Sequence, residues 1–235
     1  MSTVSPNTGV AAWATAMSEQ LAVTDPRLPQ RWATIITQAV GAPDRSWPTA
    51  AKDWAHTLGV YRFAKNPRLT PEKLVAAYRA DTLPRLGEHP VVLLPQDTTE
   101  LDYTGRQVQG MGPLSYPERQ GFLAHVTLAV TPARVPLGVV AAAFWAREKI
   151  YGRRLKAQRK RRPFMGKESA RWFAGYAQAC AVQAAQPATQ VVSISDREGD
   201  IYECLAAAAG PVAPAAGPRA HLLVRACQDL SLIHI

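Results

Sequence analysis

The chain has 235 residues, of which 47% are apolar, and this is enough for a packed core in one large domain or two small ones. No apolar run approaches the roughly 18 residues of a membrane-spanning helix, and the N-terminal segment lacks a basic region before an apolar stretch. We therefore expect no membrane partner and no signal peptide. The cysteines, Cys180, Cys204 and Cys227, are widely spaced and form no C-x-x-C pair, which indicates a reducing compartment rather than disulfides or zinc.

The formal net charge of +9 is carried by a single segment. Between Arg147 and Arg171 there are eleven Lys and Arg residues and two Glu, whereas the rest of the chain is neutral in sum. The centre of this segment reads "RRLKAQRKRR" at 153–162. Such a run is either a solvated loop or an arm that binds a polyanion, because Lys and Arg neutralise phosphates and release condensed counterions.

The N-terminal residues, up to about residue 85, predict a helical domain. Thr24, Asp25 and Pro26 form a helix-start signal and Gly41 an end signal, and the apolar residues between them recur at helical spacing: Leu28, Trp32, Ile35, Ile36 and Ala39. A second helix is predicted from Pro48 to about Lys65, with one apolar face: Ala51, Trp54, Ala55, Leu58 and Tyr61. A third is predicted to begin at Thr70-Pro71-Glu72. We expect the tryptophans on these faces to lie in the core.

From Pro90 onward the pattern predicts strands. Apolar segments at 90–96, 121–130 and 136–147 predict three strands, and the spacing of Trp172, Phe173, Tyr176 and Cys180 predicts a helix over 167–185. A strand ending before Asp196, a short helix over 200–209 and a strand over 220–226 follow. Three strands and then alternating helices and strands are typical of an α/β fold with a mixed sheet and helices on its faces.

The first and fourth predicted strands each end in an aspartate, Asp97 and Asp196. If these strands lie side by side and parallel, both carboxylates fall at their carboxyl ends, where open α/β sheets place functional sites. Carboxylate pairs suit Mg²⁺ or Mn²⁺. Beside a polybasic segment, such a pair indicates metal-dependent phosphodiester chemistry on nucleic acid.

The same residues also allow a purely structural interpretation. An aspartate after a strand often caps a turn by accepting the N–H two residues on. The neighbouring acids are either solvated charges or replacement ligands: Glu100, Asp102, Glu198 and Asp200. His125 lies in the middle of a predicted strand, and we expect it to be a core residue whose ring nitrogens are hydrogen-bonded.

Five motifs occur in an order that resembles one enzyme family. They are "DPR" at 25, "GVYRFAKNP" at 59, "QDTTELDY" at 96, "KESARW" at 167 and "SDREGDIYE" at 195. This combination is similar to the bacterial DDE transposases of the insertion-sequence-four group, over residues 23–225. The resemblance implies a helical DNA-binding domain followed by an RNase H-like sheet.

The resemblance also implies residue roles and partners. Asp97 and Asp196 correspond to the first two acids of the DDE triad, which bind Mg²⁺ or Mn²⁺ while water nicks the element's end and the freed 3′-hydroxyl attacks target DNA. Arg31 and Arg62 match family positions that contact the terminal DNA, and Arg27 and Lys65 flank them. Together with the basic arm, Arg159, Lys160, Arg161 and Arg162, they predict a partner of double-stranded DNA. We expect a homodimer for the full-length protein, in the bacterial cytoplasm on the nucleoid.

The third acid of the family is a glutamate in a later Tyr-Arg-Glu-Lys signature, which this sequence lacks. The sequence therefore predicts a truncated, inactive chain with an incomplete RNase H-like sheet. Residues 230–235, "LSLIHI", match one translation frame of a sequencing adapter, and we expect this tail to be non-native. The expected domains are a DNA-binding domain at 1–85, a partial catalytic domain at 86–229 and the tail at 230–235.

Two other functions stay open at this point. A stand-alone RNase H-like nuclease would need a third acid from within the chain, with Glu198, Asp200 and Glu203 as the candidates. A non-catalytic DNA-binding protein derived from a transposase would bind DNA with strong salt dependence and would not cut it.

Overall fold

The computed structural model describes residues 6–116, 118–148, 161–210 and 218–227. The chain forms two compact units that divide between Asp81 and Thr82. The N-terminal unit is helical, and the C-terminal unit is built on a six-stranded mixed sheet with helices beside it. This arrangement confirms the predicted fold class.

Five helices occupy the N-terminal segment: α1 (Pro6–Glu19), α2 (Arg27–Val40), α3 (Trp47–Ala50), α4 (Trp54–Ala64) and α5 (Pro71–Leu86). Helix α2 lies between the predicted start and end signals, and α5 begins at the predicted Pro71. The core of this unit forms around Trp32, which stacks on Phe63 at 6.4 Å between ring centroids and meets Tyr78 edge to face at 5.3 Å. The predicted burial of Leu28, Trp32, Ile35 and Ile36 is thus confirmed.

The prediction of one helix from Pro48 to about Lys65 is wrong, because residues 51–53 interrupt it and separate α3 from α4. Asp53 begins a new helix by accepting the backbone N–H of His56 at 2.9 Å. The predicted apolar face is also wrong, since Trp54 is 72% and Tyr61 46% exposed while Phe63 is buried. Gly59 explains the error: it lies on the buried face but contributes no apolar side chain to the pattern.

The strands of the C-terminal unit are β1 (Val91–Asp102), β2 (Gly112–Pro113), β3 (Gln120–Val130), β4 (Pro136–Trp145), β5 (Gln190–Ser195) and β6 (His221–Val224). Strand β1 is central, with β3 antiparallel on one side and β5 parallel on the other. Strand β6 continues parallel to β5, whereas β4 and the short β2 pair with β3 at the opposite edge. The predicted parallel pairing of the first and fourth long strands is confirmed.

Strand β1 is longer than predicted, and Asp97 therefore lies within it rather than at its end. The parallel pairing with β5 stops at Pro95 and Ile194, but the antiparallel pairing with β3 continues to Asp102 and Gly121. The sequence pattern missed this extension because all of its residues after Pro95 except Leu101 are polar. Within the described part of the chain, β3 is the only strand that pairs with it there.

Helix α6 (Ala170–Ala185) packs on one face of the sheet. The core between them is formed by the buried residues of β1 and β5 and one side of the helix: Val92, Leu94, Val191, Tyr176, Ala179 and Val182. Gly175 lies directly against the side chain of Gln96, and a Cβ atom at this position would collide with its amide oxygen. The absence of a side chain at Gly175 therefore allows α6 to approach β1 closely.

A buried network of polar side chains connects β1 with its neighbours β3 and β5. Gln96 donates to Ser193 Oγ at 3.2 Å and lies 3.0 Å from His125 Nε2, while Thr98 Oγ1 lies 2.8 Å from His125 Nδ1. The imidazole also meets Trp172 edge to face at 4.8 Å. His125 is thus a hydrogen-bonded core residue, as predicted. Burial, together with the positive charge of Arg171, lowers its pKa from 6.5 to about 4.

The chain after β5 differs in detail from the prediction. A short 3₁₀ turn (Arg197–Gly199) comes first, and helix α7 (Tyr202–Ala209) begins two residues later than expected. Asp200 is buried and accepts the backbone N–H of Cys227 at 2.6 Å, so the expectation of a solvated charge is wrong for this residue. Among the described residues, no helix combines the length and apolar character needed to cross a bilayer.

We predict that Gly175→Ala lowers the free energy of unfolding by about 1–2 kcal/mol, because overpacking of the contact with Gln96 outweighs the better helix propensity of alanine. Urea unfolding of both proteins measures the difference. Gly166→Ala is the matched control in the same unit, since its Cβ would lie an ordinary 3.7 Å from Arg162. Equal stability of the two variants would contradict the close packing of α6 on β1.

We also predict that His125 makes the stability pH-dependent. Since the folded-state pKa of about 4 lies below the usual 6.5, the unfolded chain binds more protons between these values. The free energy of unfolding should therefore fall by about 1–3 kcal/mol as the pH drops from 6.5 to 4, with no contribution above that window. Urea midpoints of the wild type and His125→Gln across this range provide the test. A parallel decline in both proteins would show that other groups cause it.

Candidate functional site: an aspartate pair and a basic groove

The pairing of β1 with β5 aligns Asp97 with Asp196. The register runs from Val91 opposite Gln190 to Pro95 opposite Ile194 with a constant offset. Two further residues along each chain bring Asp97 opposite Asp196, and adjacent strands lie only about 4.8 Å apart. The structure thus places the two predicted catalytic residues at the same level of neighbouring strands, and both are exposed.

Both carboxylates lie on the sheet face that points away from α6. In β1, the residues that alternate with Asp97 are buried against the helix, the last of them being Gln96. Asp196 follows β5 directly and keeps an extended backbone, so the alternation of side chains continues one residue past the buried Ser195. The two side chains therefore lie on the same side of the sheet.

One oxygen of each carboxylate accepts a backbone hydrogen bond. Thr98 donates its N–H to Asp97 Oδ1 at 2.7 Å, and Glu198 donates its N–H to Asp196 Oδ1 at 2.9 Å. The bond at Asp196 is the turn cap of the structural interpretation, so that role is present. Within the described ranges, Oδ2 of neither aspartate accepts a protein hydrogen bond. A cap and an available oxygen therefore coexist at Asp196.

The donor set at this edge fits a hard divalent cation, because each aspartate offers a carboxylate oxygen that no described residue contacts as a hydrogen-bond donor. The neighbouring acids have other partners: Glu198 pairs with Arg171 at 2.6 Å, and Asp200 accepts from Cys227. Over the ranges that the structure describes, no three His, Cys, Asp or Glu side chains are grouped so as to hold a metal ion.

A cluster of ion pairs near the aspartates was not predicted from the sequence. Arg147 contacts Glu168 at 2.7 Å and Glu100 at 3.4 Å, and Arg171 contacts Glu198 and Thr98. Glu168 and Arg171 belong to the "KESARW" motif, which carried the family resemblance but received no assigned role. The signal that could have found them was their spacing of three at the start of a helix, where oppositely charged side chains meet.

A groove in the N-terminal unit brings together three of the four predicted DNA-binding residues of that unit. Arg27, Arg31 and Arg62 line a cavity of about 510 Å³ between α2 and α4. Lys65 directly follows α4 and is exposed, but it is not among the lining residues. In the described part of the chain, Arg31 and Arg62 form no ion pair, so their charge is available to a ligand.

Arg27 differs from the other two arginines because it is neutralised. Its guanidinium pairs with both oxygens of Asp25 at 2.9 and 3.0 Å, and these hydrogen bonds lower the pKa of Asp25 to about 2. Arg31 instead lies across Gly59, where any Cβ would collide with its guanidinium. The free positive charge of the groove therefore comes from Arg31 and Arg62.

The basic arm lies partly outside the described residues. Arg159 and Lys160 belong to that undescribed part, whereas Arg161 and Arg162 are exposed. Arg162 pairs with Glu148 at 3.0 Å. The arm thus contributes two described arginines, one of which already has an acidic partner.

Comparison with known families identifies the N-terminal unit. Residues 10–69 match the family model described as transposase DNA-binding. The match runs from within α1 to beyond the end of α4 and therefore contains the whole basic groove. The chain accordingly consists of a helical N-terminal DNA-binding domain of the transposase kind, followed by a mixed sheet with flanking helices.

Proposed function

We propose that the protein is a DDE transposase of the insertion-sequence-four group that performs cut-and-paste transposition. Its N-terminal unit would bind the transposon end, and Asp97 and Asp196 would be two of its three metal-binding acids. The observation that carries this proposal is the alignment of the two aspartates on one face of adjacent parallel strands. It occurs in a chain whose N-terminal unit matches transposase DNA-binding domains.

The basic groove supports binding of the transposon end. Arginines without acidic partners attract phosphates and can also donate two parallel hydrogen bonds to a guanine. Arg31 and Arg62 project from two different helices into one cavity, which favours a defined orientation of the bound duplex over a diffuse attraction. We assign these two side chains to the terminal sequence, and the basic arm to non-specific phosphate contact.

The sheet supports the catalytic part of the proposal. Its order and directions, with a central β1 flanked by an antiparallel β3 and a parallel β5, agree with the RNase H-like sheet that the resemblance implies. Asp97 and Asp196 would hold Mg²⁺ or Mn²⁺ through their Oδ2 atoms. The bound ions would activate the attacking oxygen and stabilise the leaving one during phosphodiester cleavage.

The chain's own residues prepare this site. The backbone N–H groups of Thr98 and Glu198 each hold one carboxylate oxygen, which restricts rotation of the side chain and leaves the second oxygen exposed. Because Glu198 and Asp200 have protein partners, they are poor candidates for the third acid, which leaves Glu203 as the acid that a stand-alone nuclease would need. We propose that the third carboxylate comes from outside the described residues, in a homodimeric full-length protein.

We predict that Arg31→Ala lowers the preference for the element's own end over random duplex by about tenfold, as expected when one side chain that positions or reads the sequence is removed. Competition binding at fixed salt measures this ratio. Gly59→Ala should act in the same direction while keeping every charge, because its methyl group displaces the Arg31 guanidinium and alanine favours the helix.

Alanine at Arg159, Lys160, Arg161 and Arg162 is the contrasting variant. It should weaken binding to all duplexes about equally and make the salt dependence shallower, by a slope of about 0.9 for each phosphate that is no longer neutralised. If Arg31→Ala and Gly59→Ala also weakened all duplexes equally, the groove would bind the DNA backbone only.

We further predict that the 235-residue chain binds DNA without cutting it, because the described residues group no third carboxylate with Asp97 and Asp196. A longer gene product with a third acid should nick supercoiled plasmid in the presence of Mn²⁺, and Asp97→Ala should abolish nicking but leave binding intact. Nicking by the 235-residue chain that depends on Asp97 would show that the site is already complete. Binding without cutting in every longer product would instead indicate a non-catalytic DNA-binding protein.

A further inference from the structure

Arg171 contacts two separate segments of the candidate catalytic site. It lies in the first turn of α6, and its side chain is only 14% exposed. Its Nε donates to Thr98 Oγ1 at 2.8 Å, and its Nη2 donates to Glu198 Oε2 at 2.6 Å. Nη1 donates to the carbonyl of Glu168 at 2.9 Å, which fixes the guanidinium to the segment just before its own helix.

Thr98 and Glu198 are also the two residues whose backbone N–H groups hold the aspartates. Thr98 bonds Asp97 and Glu198 bonds Asp196, each through the Oδ1 atom. One guanidinium is therefore connected to both carboxylates through two parallel chains of contacts. The register of β1 and β5 ends before this level, so the strands' own hydrogen bonds do not fix the aspartates relative to each other.

We propose that Arg171 is the positioning residue that fixes Asp196 relative to Asp97. It tethers the turn after β5, which carries Asp196, to the extension of β1, which carries Asp97. This role rests on the proposed function, because it matters to catalysis only if the two aspartates share metal ions. Arg171 acts through Thr98 and Glu198 and touches neither carboxylate in the described contacts.

The three hydrogen bonds made by the side chain at position 171 require arginine rather than lysine. A planar guanidinium can donate in three directions from one fixed plane, whereas the ammonium of lysine is a point charge on a flexible stem. The rings of Trp172, at 5.3 Å, and Trp145, at 6.0 Å, further restrict the plane. Glu198 neutralises the charge of Arg171, so that Arg171 does not repel a cation held by the aspartates.

Arg147 provides a matched control for a merely structural ion pair. It bonds the same Glu168 through Nε and Nη2, and its side chain is 23% exposed. Its other partner is Glu100, and it contacts neither Thr98 nor Glu198 in the described contacts. Replacing Arg147 by lysine should perturb the ion-pair cluster to a similar degree without releasing the aspartates.

The first measurement uses Mn²⁺ alone as the probe, with water-proton relaxation reporting binding to the full 235-residue chain. Arg171→Lys keeps the charge but cannot bond all three partners, and we expect it to weaken Mn²⁺ binding about tenfold, as is usual when residues that orient metal ligands are changed. Arg147→Lys should bind as the wild type. Glu198→Ala removes the tether at a side chain that is 59% exposed, so it should reproduce the weaker binding even if Arg171→Lys folds poorly.

The second measurement does not involve metal. Amide hydrogen exchange at Thr98 and Glu198 should accelerate about tenfold in Arg171→Lys and remain unchanged in Arg147→Lys, because only the first releases these N–H groups from their ordered segments. Unchanged exchange together with unchanged Mn²⁺ affinity in both Arg171→Lys and Glu198→Ala would overturn the inference. If Asp97→Ala bound Mn²⁺ as tightly as the wild type, the proposed metal site would be refuted. Accelerated exchange in Arg171→Lys would in that case still support the tether.

Discussion

The parallel pairing of β1 with β5 is the interaction on which the C-terminal unit depends. The two strands are distant in sequence, and their register brings Asp97 level with Asp196. A slip of one residue would turn one aspartate towards α6 and leave the other on the opposite face. The apolar residues that alternate along both strands prevent this slip, since Val92, Leu94 and Val191 would be moved out of the core. The register of the site is therefore maintained by the hydrophobic effect.

The parts of the fold that could be predicted are those in which burial follows a simple period. The burial of Trp32 and Ile36 on α2 and the strand before Asp196 could be recognised because their apolar side chains repeat with the period of a helix or a strand. The two aspartates could be found for the same reason, as acids at the ends of such segments. Residues 10–69 match a transposase DNA-binding family, and this agrees with the motif-based expectation for the same region.

The parts that could not be predicted depend on contacts between distant segments. Trp54 is exposed because Asp53 starts a new helix and Gly59 faces α2, and neither effect appears in an apolar pattern. The extension of β1 beyond Pro95 depends on β3 rather than on its own side chains. The contacts of Arg171 join three segments, so charge spacing within a single segment could indicate only the neighbouring Glu168.

Asp196 both carries a charge of the aspartate pair and caps the turn that follows β5. Alanine at this position would remove the charge and also the acceptor that starts the 3₁₀ turn, so a loss of activity could reflect a displaced turn. Asparagine keeps the acceptor and removes only the charge, because the side-chain amide oxygen can receive the same N–H from Glu198. Among the described residues, Asp97 accepts only from the adjacent Thr98 within a strand. The two members of the pair are thus chemically alike but structurally unequal, because only Asp196 also starts a turn.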